Sequence, residues 1–106
     1  MERQVLVLAD DVELCQSIRN RLQRADMVVD YTLSAQEALN DFLPQPYSLV
    51  ILDTSFETTD TLELLRSVRK STPAPILVLV RKITAKDKVD LFYAGATACI
   101  EKPLDL

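Results

Sequence analysis

The chain has 106 residues, 48% of them apolar and 26% charged, with a net charge of −4, which suits one small globular domain with a single core. Acidic and basic residues are interspersed and no basic stripe is present, so direct nucleic-acid binding is not expected. No apolar run is long enough to cross a bilayer, no secretory leader precedes the first strand-like run, and two cysteines, Cys15 and Cys99, are too few for a disulfide framework or zinc site; a cytoplasmic location with reduced thiols is expected.

The first predicted strand covers about residues 4 to 9. A helix follows, with Leu14, Ile18, Leu22 and Ala25 at helical spacing, Cys15 beside them, and Gln16, Arg19, Asn20 and Gln23 on the polar face. A short strand is expected from Met27 to Thr32. Ser34 through Glu37 has the form of a capping box opening a second helix to about Leu43, where Pro44 and Pro46 stop it.

Tyr47 to Asp53 is nearly all apolar, as a strand covered on both faces should be. The third helix turns Leu62, Leu65 and Val68 inward and ends before Pro73. Pro75 to Val80 is the fourth strand. Thr84 to Asp87 is a second capping-box pattern, and Val89, Phe92 and Tyr93 are expected to supply the apolar side of the fourth helix. Gly95, the one glycine, suits a left-handed cap, and Thr97 to Ile100 is the fifth strand. Strands alternating with helices argue for βα units and a parallel sheet.

Charged residues stand where the apolar runs stop. Asp10 and Asp11 follow the first run, Asp53 the third, and Lys102-Pro103 the last. In a parallel sheet those charges meet outside the carboxyl edge, where open α/β sheets bind ligands. An aspartate can attack a phosphoryl donor, Mg2+ favours hard carboxylate oxygens, and a lysine can neutralise a phosphoryl oxygen. Taken singly these residues have plainer roles: Asp11 suits a helix cap, Asp53 a strand-end turn, and Lys102 a solvated charge. Their joint occurrence points to a magnesium-and-phosphate site.

Val-Leu-Val-Leu-Ala-Asp10-Asp11, Leu-Val-Ile-Leu-Asp53, the following Thr-Leu-Glu-Leu-Leu-Arg, Ala-Gly-Ala-Thr-Ala and Glu-Lys102-Pro103-Leu-Asp occur in that order. On these segments the whole chain resembles the receiver domain of bacterial two-component response regulators. The resemblance implies a flavodoxin-like doubly wound five-stranded parallel sheet of order 2-1-3-4-5. It makes Asp53 the phosphoacceptor and Lys102 the phosphate contact. It assigns Mg2+ to Asp10, Asp11, Asp53 and the main-chain carbonyl of Ser55, and places a cis peptide before Pro103. A sensor histidine kinase would be the phosphodonor partner, and a linked output domain, often DNA-binding, the recipient of the signal. The chemistry would be self-phosphorylation and autodephosphorylation, not turnover of a metabolite.

Several positions depart from the family pattern. Val80 stands where a Ser or Thr hydroxyl is usual and Cys99 where an aromatic is usual, so both switch positions are altered. A hydrogen bond to a charged group contributes about 1.5–3 kcal/mol, against about 5.5 kcal/mol needed to invert a two-state equilibrium fully, so phosphorylation could survive with weakened output coupling. Glu57 and Thr61 replace the usual proline and glycine, and Thr54, Glu57 and Lys82 flank the site. Chain end at Leu106 leaves no room for the family's fifth helix, which reads as a truncated regulator with an uncovered sheet face. That face, or the fourth helix with the fifth strand, is a candidate homodimer surface. The alternative is a pseudo-receiver that binds a partner without phosphate. An aspartate-nucleophile phosphatase would want a second aspartate at the position of Ser55.

Overall fold

The computed structural model describes residues 3–54, 60–82 and 84–103. Five strands alternate with four helices among them: β1 (Arg3–Leu8), α1 (Val12–Gln23), β2 (Met27–Thr32), α2 (Ala35–Glu37, continued by a π-helical segment, Ala38–Phe42), β3 (Leu49–Asp53), α3 (Thr61–Ser71), β4 (Ile76–Val80), α4 (Ala85–Ala94) and β5 (Ala98–Glu101). The strands are all parallel in the order β2-β1-β3-β4-β5. This is the flavodoxin-like order that the family resemblance implies, and the strand order reverses between β1 and β3, where such sheets place their ligand crevice.

Alternation along the strands divides the core in two. Leu6, Leu8, Val50, Leu52, Ile76, Val78 and Val80 face Leu64, Leu65 and Val68 of α3 and Leu91 and Ala94 of α4. On the other face Val5, Val7, Ala9, Val29, Ile51 and Leu79 meet Cys15 and Ile18 of α1. Exposure on that second face is narrower than an uncovered sheet would give: Ile51 and Leu79 are buried, Leu49 and Leu77 pack at its edge, and Ile100 is exposed.

Three local expectations need correction. Ser34 caps α2 by accepting from the Glu37 amide at 3.1 Å, but the Glu37 carboxylate accepts from the Thr32 hydroxyl at 3.2 Å, and the Ser34 amide donates to that same hydroxyl oxygen. Thr32 therefore intercepts the reciprocal half of the box; in α4 the Thr84 and Asp87 pair completes it. In α1, Ala25 falls beyond the helix and is exposed, while Arg19 is half-buried with its guanidinium 4.4 Å from the centre of the Tyr31 ring; stacking on the ring's negative face draws that cation inward. In α4, Val89, Phe92 and Tyr93 are exposed, and Leu91 and Ala94 make the inward side.

Candidate functional site

β1 delivers Ala9, fully buried, and then Asp10 and Asp11, both exposed at the rim. Asp11 is the N-cap of α1, its Oδ1 accepting from the Leu14 amide at 3.3 Å. A cap carboxylate also complements the positive end of the helix.

β3 ends on Asp53, in register with Leu79 and only 1% exposed. β5 leads into Lys102, whose amide donates to the Val80 carbonyl at 2.6 Å and whose peptide bond to Pro103 is cis. The Lys102 ammonium donates to Asp53 Oδ1 at 2.7 Å. A buried carboxylate is costly unless paired, and this contact sets a cation against the buried side chain of Asp53.

Cys15 records how the acidic residues bear on one interior point. Its thiol is pushed up to about 11, first by burial and then by the negative charges of Asp11 and Asp53; Asp10 adds to the effect and Arg19 opposes it. The sequence placed Cys15 beside the core stripe of α1 without linking it to the acidic rim. Nothing in residue spacing marks a buried thiol as the neighbour of carboxylates carried by two other segments.

The carboxylates are not drawn into a ready metal cage. Among the described residues no three His, Cys, Asp or Glu side chains gather tightly enough to hold a cation, because Asp11 is turned to its helix and Asp53 to Lys102. Ser55 and Glu57 lie outside the described residues. The donor chemistry nonetheless fits magnesium, which keeps several waters and needs only one or two carboxylates from a protein.

Val80, 5% exposed, and the half-buried Cys99 lie on the same face of the sheet, in the core beneath α3 and α4. They belong to paired strands, with Cys99 in register with Val78. Burial raises the Cys99 thiol, and the charge of Lys88 works against it. Neither side chain offers an oxygen donor toward the rim.

Thr54 serves β4: its amide and its hydroxyl both donate to the Leu79 carbonyl, at 3.0 and 2.9 Å, and its own carbonyl accepts from the Thr61 hydroxyl at 3.5 Å. Lys82 and its neighbour Arg81 are exposed and make no ion pair among the described residues.

An open parallel sheet with acidic residues after β1, a buried aspartate ending β3 and a lysine after β5 reaching that aspartate defines a doubly wound α/β protein with its site at the carboxyl edge. The chain matches the response regulator receiver domain over residues 5–106, and it belongs to that family. It is 31% identical over 102 residues to the response regulator ArlR of Staphylococcus epidermidis, covering 96% of this chain and 47% of the relative. To the transcriptional regulatory protein ResD of Bacillus subtilis it is 30% identical over 102 residues, covering 96% and 42%. The chain thus spans less than half the length of either relative. A solved response regulator from Burkholderia pseudomallei, with a phosphorylated aspartic acid and a calcium ion, superposes with a TM-score of 0.89 at 22% identity, covering 98% of this chain and 62% of that one. No helix among the described residues is long and apolar enough to cross a membrane.

Proposed function

We propose that Asp53 accepts a phosphoryl group from a sensor histidine kinase and that the acyl phosphate signals to a linked output domain, a DNA-binding one, in keeping with the similarity to the transcriptional regulatory protein ResD. The observation that carries this reading is the 2.7 Å contact between Lys102 Nζ and Asp53 Oδ1 at a nearly buried carboxylate. A nucleophilic oxygen and a counter-cation are already held together, so part of the cost of bringing an anionic donor to an anionic acceptor is met before the donor arrives.

Asp10, Asp11 and Asp53 would hold Mg2+, with the Ser55 carbonyl assigned by family resemblance; the ion, when bound, offsets repulsion between phosphoryl oxygens and carboxylates. Lys102 exchanges its bond with Asp53 for one with a phosphoryl oxygen. Asp11 keeps α1 in place while contributing charge at the rim. The cycle ends in hydrolysis of the acyl phosphate, so the domain is a self-modifying switch and not an enzyme acting on a metabolite.

The pseudo-receiver reading rests on Val80 and Cys99, which offer no hydroxyl and no aromatic ring, and those residues bear on output coupling more than on phosphoryl acceptance. Incubation with acetyl phosphate and Mg2+, followed by intact-protein mass measurement, tests the main reading. One added phosphoryl group that disappears in Asp53→Asn is expected; an unmodified wild-type chain sinks it.

A further inference from the structure

Val80 leaves the rim without the hydroxyl that would donate to a phosphoryl oxygen, and the next residue is a cation. The β3–β4 and β4–β5 ladders both persist to the rim: the Thr54 amide reaches the Leu79 carbonyl and the Lys102 amide reaches the Val80 carbonyl. Asp53 pairs with Leu79, and Val80 with Glu101, so Arg81 stands level with Lys102 and two residues beyond the level of Asp53.

Side-chain alternation fixes the face. Leu79 packs in the core beneath α1 and Val80 in the core on the opposite side, which returns Arg81 to the α1 side. Ile51 packs on that same side, so Asp53, two residues later, shares it. Parallel strands lie about 4.8 Å apart with a rise of about 3.3 Å per residue. Arg81 is therefore about 8 Å from Asp53 between Cα positions, whereas Lys102, two strands away, is about 12 Å distant. Lys102 closes that longer gap to 2.7 Å, so the longer arginine side chain has ample reach from the nearer strand. Arg81 is exposed and engages no carboxylate among the described residues.

We propose that Arg81 is a second phosphoryl-contacting cation, supplying from β4 the donor that Val80 lacks. The inference deepens the phosphoacceptor reading of Asp53 and rests on it. As the Asp53 Oδ–P bond forms, the donor's bond to phosphorus breaks and its electron pair leaves with the donor. The transferred group then sits with one oxygen toward Lys102 and another toward Arg81. A guanidinium presents its N–H groups as a planar fork matched to two such oxygens. Because Arg81 remains solvent-accessible, its contribution falls with added salt.

The test is a titration with beryllofluoride in the presence of Mg2+, followed by fluorine NMR at low and high salt, on wild type, Arg81→Ala, Arg81→Lys and, as the blank, Asp53→Asn. Arg81→Ala is expected to bind about tenfold more weakly at low salt and to lose much of the wild-type salt dependence. Arg81→Lys should recover part of the affinity, since the charge returns without the fork. Equal affinities and salt slopes for wild type and Arg81→Ala overturn the assignment of Arg81 and leave Asp53 as acceptor. Failure of wild type itself to bind overturns the acceptor reading and this inference with it. Unchanged circular dichroism and urea midpoints for the Arg81 variants, expected of an exposed residue, separate lost contact from lost fold.

Discussion

Arg69 on α3 donates twice to the carbonyl of Gly95, from Nε at 3.1 Å and Nη2 at 2.8 Å. The same guanidinium donates to the carbonyls of Thr72 and Ala74 and to the Thr97 hydroxyl oxygen. One side chain thereby joins the end of α3, the entry to β4 and the turn from α4 into β5, at the sheet edge opposite the one that carries Asp53. Gly95 has φ +126, and a Cβ there would stand 2.8 Å from Arg69 Cβ.

Gly95→Ala should therefore cost about 2–4 kcal/mol, from a disfavoured backbone region and a clash that the helix-borne Cβ of Arg69 cannot relieve by rotating. Arg69→Lys keeps the charge but loses the fork, leaving main-chain carbonyls without donors, and should cost about 2 kcal/mol. Urea unfolding of both variants beside wild type measures this; an unchanged midpoint for Gly95→Ala would show that the turn relaxes freely.

At the functional edge, the two members of the ion pair should respond unequally to substitution. The side chain of Asp53 is 1% exposed and that of Lys102 17%. Lys102→Met removes a counter-cation from a buried carboxylate and should cost about 2 kcal/mol, less than for a fully enclosed pair because the lysine end reaches water. Asp53→Asn leaves an ammonium that can hydrate and relieves repulsion from Asp10 and Asp11, so its unfolding midpoint should shift far less. A larger loss for Asp53→Asn than for Lys102→Met would contradict this asymmetry.

Strand-end charges were the legible part of the candidate site, because Asp10 and Asp53 each stop an apolar run, Glu101 and then Lys102 follow the last one, and a parallel sheet must carry all of these to one edge. Element order was equally legible, since alternating apolar runs and helical stripes leave few topologies. Which stripe of a short helix faces inward was not. In α4, Val89, Phe92 and Tyr93 share helical spacing as plausibly as Leu91 and Ala94, and it is Leu91 and Ala94 that join the core with α3. Thr32 taking the Glu37 carboxylate was also hidden, because it lies before the segment in which a capping box is sought.

Cys15 gives the fold a pH dependence on the alkaline side. Its thiol is raised from 9.0 to about 11 by burial and then by Asp11 and Asp53. The unfolded chain releases this proton near pH 9 while the folded chain keeps it, so the unfolded state binds fewer protons and stability falls as pH rises. The contribution is fully present below pH 9 and gone above about 11, a loss of about 2–3 kcal/mol. Urea midpoints of wild type and Cys15→Ala between pH 8 and 11 should converge by about that amount, and parallel curves would rule it out.

The outer surface of α4 offers the sharpest contrast between neighbouring positions. Leu91 is 6% exposed and Tyr93 90%, although they lie two residues apart. Leu91→Ala opens a cavity between α4 and the sheet and should cost about 2–4 kcal/mol, while Tyr93→Ser removes a ring already in water and should move the urea midpoint within about 0.5 kcal/mol. Phe92, 41% exposed, should fall between them on substitution by serine. Because Val89, Phe92 and Ile100 are exposed as well, Tyr93→Ser should also lower any concentration-dependent self-association, which sedimentation of wild type and variant would read directly. Equal costs for Leu91→Ala and Tyr93→Ser would mean that the helix presents its other stripe to the core.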